Sequence, residues 1–379
     1  MRYPLPPTPF PQDLWDYLRV TEKPILVYGM GNGADKLISR LGEVGKTVAD
    51  FFASDGFVRG QSFHGRRVLT YGEAKEKHGD AIVLVSFGSD RENVLDTVFS
   101  LAEQAELYIP DMPLAGEEYF TAAFYRAHYE ELARVYEMLA DEASKVLFCA
   151  LLWYKLTGKP EYLKSAVCTG DEEELLAYAR IKSAVDVGAY RGDTLCELIE
   201  RAQGLRTVFA IEPDKKNYEK LLRVAEGYEG YEIVCHHAAA WCEDGELSFA
   251  ASGNRNATIG TLLGATASHE HRVATVKSIK IDTITQGRNI DYIKYDTEGA
   301  EREALLGSRA TIEREVPFLR ISVYHRTEDL FALVRVLCDL TKRKYDFYLR
   351  RRLCIPAWEI ELIAVPCERP TAQRGEGNA

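Results

Sequence analysis

Four apolar runs in the second half of the chain end at side chains that could do chemistry. The side chains at or just after these ends are Asp186, Glu212, Asp296 with Glu298, and His325. Short apolar runs of this kind are typical of buried parallel strands. Because ligands in open α/β sheets bind beyond the carboxyl ends of the strands, we expect these five residues to converge on one site. Carboxylates and a histidine there could hold hydroxyl groups and move a proton.

The first two acids belong to a segment, residues 183–214, whose pattern predicts a strand, a glycine turn, a helix and a second strand. Gly188 and Gly192 form the turn, and Glu212 ends the second strand. A carboxylate at that tip suits two adjacent ribose hydroxyls. A dinucleotide site needs the closer spacing G-x-G-x-x-G, which brings a pyrophosphate to the helix start. The turn therefore favours S-adenosylmethionine, which has a ribose but no phosphate.

The candidates for acid–base chemistry are Asp296, Glu298 and His325. A hydroxyl group that acts as a nucleophile must lose its proton, and a placed base typically accelerates such a reaction ~10² to 10⁴-fold. We expect both carboxylates to stay ionised, Asp296 beside a sulfonium and Glu298 at a predicted helix start near Gly299. His325, with an ordinary pKa of ~6.5, is therefore predicted as the base, while the carboxylates fix acceptor and cofactor. Structural roles stay open for all three: Asp296 as an acid that orients the cofactor, Glu298 as a helix cap and His325 as a hydrogen-bonded histidine at a strand end.

Three ordered motifs in this half of the chain resemble one known family. They are Asp186-Val-Gly-Ala-Tyr-x-Gly, Ala210-Ile-Glu-Pro-Asp-x-x-Asn217 and Ile293-Lys-x-Asp-x-Glu-Gly-Ala-Glu301. Residues from about 180 to 366 are similar to the FkbM-type family of S-adenosylmethionine-dependent methyltransferases. The resemblance implies a class I methyltransferase fold, Rossmann-like with a seven-stranded, mostly parallel sheet. It also implies methyl transfer to a hydroxyl oxygen on a sugar, glycan or natural product.

The predicted cofactor site comprises eight residues near the first strand ends. They are Asp186, Gly188, Ala189, Tyr190, Gly192, Glu212, Pro213 and Ala239. Two tyrosines depart from the family pattern: Tyr190 stands where Asn is frequent, and Tyr295 where an aliphatic residue is common. No metal is predicted, because the spacing of the cysteines and histidines in segments 235–242 and 269–271 matches no compact zinc site.

The first 110 residues predict a smaller Rossmann-like unit with its own glycine turn. Gly29, Gly31 and Gly33 form this turn, and Asp55 is the candidate acid near the end of the second strand. The unit is loosely similar to the nucleotide-sugar-binding N-terminal domains of some sugar acyltransferases. A nucleotide or sugar-nucleotide pocket and a purely structural or dimerising role both stay open.

The expected architecture is therefore α/β in three parts with a tail. Residues 1–110 form the N-terminal Rossmann-like domain, 111–175 a helical connector, 176–366 the methyltransferase domain and 367–379 a flexible tail. Within the connector, one helix is expected over 117–156. A polar loop at 252–271 is expected to be a lid on the acceptor side. Basic residues at 350–352 fit either a grip on phosphate or acidic glycan, or a solvated charged edge.

Composition limits the partners and the compartment. The chain has 379 residues, with 46% apolar and 28% charged side chains, which is typical of a soluble protein of two domains. A net charge of -11 disfavours nucleic-acid backbone binding, which needs a positive surface. No signal peptide or membrane-spanning run is apparent, and eight scattered cysteines favour a cytoplasmic setting. We expect a small-molecule or glycan acceptor, no nucleic acid and no membrane span, with a homo-oligomer left open.

Three functions compete on this evidence. The first is an S-adenosylmethionine-dependent O-methyltransferase. The second is a nucleotide or nucleotide-sugar enzyme that uses the N-terminal glycine turn, which is disfavoured because nothing after Asp55 resembles a dehydrogenase acid or a tyrosine–lysine pair. The third is a non-catalytic scaffold with a vestigial methyltransferase fold, which the intact motif residues disfavour.

Overall fold

The computed structural model describes residues 3–251, 272–342 and 344–367, and its N-terminal part is built on a four-stranded parallel sheet. The strand order is β2-β1-β5-β6. The elements are α1 (Leu14–Val20), β1 (Ile25–Tyr28), α2 (Asn32–Glu43), β2 (Asp50–Phe52), β3 (Ser62–Phe63), β4 (Arg66–Arg67), α3 (Tyr71–His78), β5 (Ile82–Val85), α4 (Glu92–Ala102) and β6 (Glu106–Tyr108). The predicted parallel sheet of this part is confirmed.

The connector contains several helices rather than the one expected over 117–156, so that expectation is wrong. They are α5 (Ala122–Ala127), α6 (Tyr129–Met138), α7 (Glu142–Thr157), α8 (Pro160–Ser165) and α9 (Glu172–Leu176). Thr121 and Asp141 each cap a new helix by accepting a backbone N–H bond from the residue three positions on. Between α6 and α7, Ala140 N donates to Phe347 O, so the chain leaves the helical path to pair with a later strand.

The C-terminal part is built on a seven-stranded sheet with the order β15-β16-β14-β13-β7-β8-β9. Five of these strands run parallel, and β16 pairs antiparallel with both β14 and β15. The elements are β7 (Ser183–Val187), α10 (Asp193–Arg201), β8 (Thr207–Ile211), α11 (Lys215–Glu226), β9 (Glu232–His236), β10 (Ala239–Ala240), β11 (Gly245–Ala251), β12 (Arg272–Ile279), α12 (Ile281–Thr285), β13 (Tyr292–Tyr295), α13 (Glu301–Leu306), α14 (Arg309–Glu315), β14 (Phe318–Ser322), α15 (Asp329–Thr341), β15 (Tyr345–Arg351) and β16 (Ile360–Pro366). The predicted mostly parallel sheet of seven strands is confirmed.

The strand register brings the predicted site residues to one level. Val187 pairs with Ile211 of β8 and with Tyr295 of β13, and Tyr295 pairs in turn with Ile321 of β14. The ends of β7, β8, β13 and β14 are therefore aligned. Side chains that follow these ends emerge at the same edge of the sheet.

One cluster of buried apolar side chains continues through all three parts of the chain. It includes Val83 and Leu107 of the N-terminal sheet, Phe148 and Leu151 of α7, and Phe347 of β15. The domain boundaries stay a prediction. In the ranges that the structure describes, no helix combines the length and the apolar character needed to cross a bilayer.

Arg350 and Arg351 are buried, so neither a ligand grip nor a solvated edge describes them. Arg350 is 1% exposed and binds two carboxylates of the connector. Its guanidinium group donates to both carboxylate oxygens of Asp171 and, from Nη2, to Oδ2 of Asp141 at 2.7 Å. Its Nη1 also donates to Ser144 Oγ at 3.0 Å. Arg351 donates to backbone carbonyl groups, among them that of Ala166. The pair thus fastens β15 to the helical connector.

We expect Arg350→Lys to lower the free energy of unfolding by about 2 to 3 kcal/mol, because an ammonium group cannot reach both carboxylates and the serine at once. Arg335→Lys is the matched control: Arg335 is exposed and its Nη1 lies 2.6 Å from Glu131 Oε1. That surface change should cost less than about 1 kcal/mol. Urea unfolding measures both variants, and equal losses would contradict the structural role of Arg350.

Candidate functional site

A cavity of about 260 Å³ opens at the carboxyl edge of the seven-stranded sheet. Seven of the residues predicted for the cofactor site and for catalysis line it: Gly188, Tyr190, Glu212, Pro213, Ala239, Asp296 and Glu298. The other four are buried or half-buried around it without lining it: Asp186, Ala189, Gly192 and His325. The structure therefore brings the predicted residues together at one edge of the sheet.

The glycine turn after β7 is shaped by a close contact between two strand ends. Gly188 has φ +83°, and a Cβ atom there would lie 1.8 Å from the carbonyl oxygen of Asp296. Gly192 has φ +92°, with Val224 3.0 Å from the position of its Cβ. Only a residue without a side chain lets the turn lie directly against the end of β13.

Glu212 is held by the backbone on both of its oxygens. Oε2 accepts a hydrogen bond from Tyr190 N at 2.8 Å, and Oε1 accepts one from Asp214 N at 2.8 Å. A carboxylate has about four acceptor positions, so further positions stay available on the cavity side. Burial raises the pKa of Glu212 to about 8, an effect that the two backbone N–H groups oppose.

A half-buried lysine, which the sequence reasoning missed, bridges the ends of β7 and β13. Lys294 Nζ lies 3.5 Å from Asp296 Oδ2 and 4.0 Å from Asp186 Oδ1, and it donates to Thr194 Oγ1 at 2.8 Å. Burial opposes its charge, but the two carboxylates raise the pKa of Lys294 above its ordinary value. Burial raises the pKa of Asp186 to about 6. Residues two apart on a strand share a face, so the Lys-x-Asp spacing in the sequence could have predicted that Lys294 and Asp296 lie side by side.

His325 does not have the ordinary pKa on which its assignment as the base depended. It is fully buried, with Nδ1 2.9 Å from Glu301 Oε1 and Nε2 3.5 Å from Glu298 Oε2 and 3.7 Å from Asp296 Oδ1. Burial alone would lower the pKa of His325, but the three carboxylates raise it to about 10. A charged imidazole cannot accept a proton near neutral pH, so that premise is wrong.

Glu301, rather than Glu298, stands at the start of the helix that follows β13. Glu301 Oε1 accepts from Thr297 N at 2.8 Å and from Gly299 N at 3.3 Å, and α13 begins at Glu301 itself. Glu298 lies before this point with φ +55° and lines the cavity. Burial raises the pKa of Glu298 to about 8, which contradicts the expectation that a helix start keeps it ionised.

The N-terminal glycine turn borders a separate cavity of about 240 Å³. Gly33 lines it, whereas Gly29 and Gly31 do not, and Asp55 lies outside its wall in an exposed helical turn. A Cβ atom on Gly33 would lie 1.9 Å from the backbone oxygen of Ser86, so packing of α2 on β5 already requires glycine there. A nucleotide at this turn stays a prediction. The predicted lid, residues 252–271, lies outside the described residues.

Comparison with known proteins gives a family match within the C-terminal part and a structural match along most of the chain. Residues 186–347 match the family model described as the methyltransferase FkbM domain. The crystal structure of a methyltransferase FkbM from Methylobacillus flagellatus KT has a TM-score of 0.67, with 20% identity over 92% of this chain and 92% of that chain. None of the curated proteins compared with the chain matches it.

Two further solved structures are similar to about half of the chain. An rRNA methylase from Streptococcus thermophilus has a TM-score of 0.34, with 12% identity over 52% of this chain and 95% of that chain. Aeropyrum pernix fibrillarin with natively bound S-adenosyl-L-methionine has a TM-score of 0.31, with 11% identity over 48% of this chain and 66% of that chain. The match of residues 186–347 to the methyltransferase FkbM domain supports a methyltransferase, and the Methylobacillus structure shows that the fold is similar.

The close contact at Gly188 yields a stability test. Gly230 has nearly the same backbone conformation, φ +87°, but no atom lies within 4 Å of the position of its Cβ. We expect Gly230→Ala to cost about 1 to 2 kcal/mol for the left-handed conformation alone. Gly188→Ala should cost at least about 2 kcal/mol more, because the two strand ends must separate. Chemical unfolding of both variants measures the difference, and equal costs would show that the contact does not constrain the fold.

Proposed function

We propose that the chain, whose residues 186–347 match the methyltransferase FkbM domain, transfers the methyl group of S-adenosylmethionine to a hydroxyl of a sugar, glycan or natural product. One observation carries this proposal. A single cavity has a backbone-held carboxylate, Glu212, on one wall and the carboxylates of Asp296 and Glu298 on another. This arrangement suits a nucleoside at one end and a hydroxyl acceptor at the other.

The charge of the lining supports a cationic cofactor over a phosphate-bearing one. Seven acidic and three basic residues line the cavity: Asp193, Glu197, Glu212, Asp296, Glu298, Glu359 and Glu361 against Lys294, Arg320 and Arg352. An acidic surface attracts a sulfonium and an ammonium and repels a pyrophosphate. When bound, S-adenosylmethionine would supply an electrophilic methyl group: its carbon–sulfur bond would break as a carbon–oxygen bond to the acceptor forms, and the electron pair of the broken bond would stay on sulfur.

The residues of the chain that would hold the cofactor come from the ends of β7 and β8 and from β10. Glu212 would accept hydrogen bonds from the ribose hydroxyls, and Gly188 would leave room for the cofactor at the turn after β7. Pro213 and Ala239 contribute apolar walls. Asp296 stays ionised, since Lys294 and His325 lower its pKa although burial opposes them. Its negative charge favours the sulfonium end of the cofactor nearby.

We assign the acceptor proton to Glu298 instead of His325, in the ionised form of Glu298, which prevails above its pKa of about 8. Its side chain is 30% exposed and lines the cavity, whereas the side chain of His325 is fully buried behind it. A proton acceptor must come within hydrogen-bond distance of the hydroxyl, so access decides between them. His325 instead fixes the carboxylates that surround it.

The proposed ribose site predicts a pH-dependent affinity for adenosine, which has a ribose but no group that titrates near neutral pH. Burial raises the pKa of Glu212 to about 8, and the ionised form is the stronger acceptor for hydroxyl groups. The affinity should therefore rise as pH increases. Between pH 6.5 and pH 9 the gain should be about tenfold or more, following the ionised fraction. Isothermal titration calorimetry measures it.

The control for this experiment is Glu212→Gln. The variant should bind adenosine about tenfold or more weakly at pH 9, because a neutral amide cannot accept both ribose hydroxyls as strongly as a carboxylate. Its affinity should also lose the pH dependence. An unchanged affinity at pH 9, or the same pH dependence in the variant, would remove Glu212 from the ribose site.

A second test concerns the proton acceptor. With S-adenosylmethionine carrying a trideuterated methyl group, labelled products in cell extract should fall by roughly 10² or more in Glu298→Gln, since the amide cannot take the proton. Mass spectrometry detects the label, and calorimetry should show unchanged adenosine affinity. Glu303→Gln, on the same segment but outside the cavity, should keep the parental rate. Parental labelling by Glu298→Gln would exclude Glu298 as the base.

A further inference from the structure

We infer that the cavity of about 240 Å³ at the carboxyl edge of the N-terminal sheet is a second ligand site, for a small organic anion that joins a flat apolar ring to a carboxylate or phosphate group. The position, the walls and the charge of this cavity carry the inference. It does not rest on the proposed function, which concerns the cavity of the other sheet.

The cavity lies where an open parallel sheet is expected to bind a ligand. The chain runs from β1 to β2 on one side of the sheet and later to β5 and β6 on the other, so its direction changes between β1 and β5. Ligands of such sheets bind in the crevice beyond the carboxyl ends of the strands at this point. Met30, which follows β1, and Ser86, which follows β5, both line the cavity. The proposed cofactor cavity has the equivalent place in the seven-stranded sheet, beyond β7 and β13.

The walls are mostly apolar and come from three parts of the chain. They include Met30, Leu37, Phe87, Met112, Pro113 and Trp358. Trp358 packs directly on Gly88, where an added Cβ atom would lie 2.1 Å from Cζ3 of the indole ring. Two backbone hydrogen bonds between Ser89 and Ile355, at 2.8 and 2.9 Å, fasten the loop that carries Trp358 to the N-terminal part. Aromatic walls such as Phe87 and Trp358 suit contact with a flat ring.

The charge of the lining is positive, in contrast to that of the proposed cofactor cavity. Among the described residues that line the N-terminal cavity, Lys36 is the only charged one, whereas seven acidic residues line the other cavity. Asn32 and Ser86 add an amide and a hydroxyl group to the wall. A cation without an acidic neighbour in the same wall favours an anionic ligand, even in a chain whose net charge is -11.

The ammonium group of Lys36 is only weakly bound within the described chain. Its Nζ lies 3.5 Å from the carbonyl oxygen of Pro113, which is beyond the usual hydrogen-bond range. Lys36 is exposed as a residue, yet burial of its ammonium group lowers the pKa of Lys36, and no carboxylate opposes this effect. An anionic group in the cavity would accept the unused hydrogen bonds of the ammonium group and offset its lost hydration.

The volume limits the ligand to a small molecule. Sites for drug-sized ligands typically have ~300 to 1,000 Å³, so a cavity of about 240 Å³ suits a compound of about one ring. A dinucleotide is too large to be enclosed there, and Asp55, the acid predicted for a nucleotide site, lies outside the wall. The ligand is therefore a smaller anion than the nucleotide that the glycine turn predicted.

The test uses the full chain with fluorotryptophan in place of its four tryptophans, so that fluorine magnetic resonance shows one signal for each. The variant Trp358→Phe identifies the signal of Trp358, and the other three tryptophans lie outside the cavity wall. The probes are benzoate and phenyl phosphate, with benzyl alcohol as the neutral control. At least one anion should shift the Trp358 signal saturably, with an affinity about tenfold or more above that of benzyl alcohol. The anion that binds more tightly identifies the preferred acidic group.

Two results of this titration would overturn the site without any further variant. The first is the absence of a saturable shift of the Trp358 signal with either anion. The second is an equal affinity for benzyl alcohol and for the anions, since Lys36 would then contribute no charge to binding.

A variant of Lys36 then tests the contact with the anionic group. Lys36→Gln should weaken binding of the anions by about tenfold or more and leave that of benzyl alcohol unchanged, because the amide lacks the charge. Lys75→Gln is the matched control: it removes an exposed lysine of α3 outside the cavity and should keep the parental affinity. Parental affinity for both anions in Lys36→Gln would overturn the inference.

Adenosine separates this site from the proposed cofactor site. The same titration with adenosine present should give the same affinity for the anions, because adenosine is expected in the other cavity. Competition between adenosine and the anions would contradict a separate site. Anion binding by a chain that binds neither adenosine nor S-adenosylmethionine would support this site and contradict the proposed function alone.

Discussion

The site depends on the mutual compensation of ionisable groups that are fully or partly buried at one edge of the seven-stranded sheet. Lys294 stands between Asp186 and Asp296, and His325 stands among Asp296, Glu298 and Glu301. A single buried ion in apolar surroundings is prohibitively costly, so each of these groups requires the others. The strands that carry them must therefore end at one level, as the register of β7, β13 and β14 requires.

The helical connector contributes to this edge as well as joining the two sheets. The backbone N–H groups of Leu114 and Ala115 both donate to the carbonyl oxygen of His325, at 3.1 and 2.9 Å. Ala115 also packs against Gly299: a Cβ atom added to Gly299 would lie 2.4 Å from the Cβ atom of Ala115. Thr327 donates to the carbonyl oxygen of Glu118. The segment before α5 thus fixes the loop that follows β14, and with it the imidazole of His325.

Much of the fold followed from local patterns, while the ionisation of the site did not. Apolar runs predicted the strands of both sheets, and the glycine pattern predicted the turn after β7, because these features depend on nearby residues. The state of His325 depends on Glu301 and on complete burial, which arise only when distant segments pack. Arg350 was equally hidden, since its partners Asp141 and Asp171 lie some 180 to 210 positions earlier. The prediction of one continuous helix in the connector was wrong because Asp141 caps a new helix, α7.

The central claim is that the cavity at this edge binds S-adenosylmethionine rather than a dinucleotide. The most direct measurement is calorimetric titration of the parent chain with S-adenosylmethionine and, separately, with NAD. We predict one S-adenosylmethionine site per chain and no binding of NAD at the same concentration, because the acidic lining repels a pyrophosphate. Binding of NAD together with no binding of S-adenosylmethionine would contradict it.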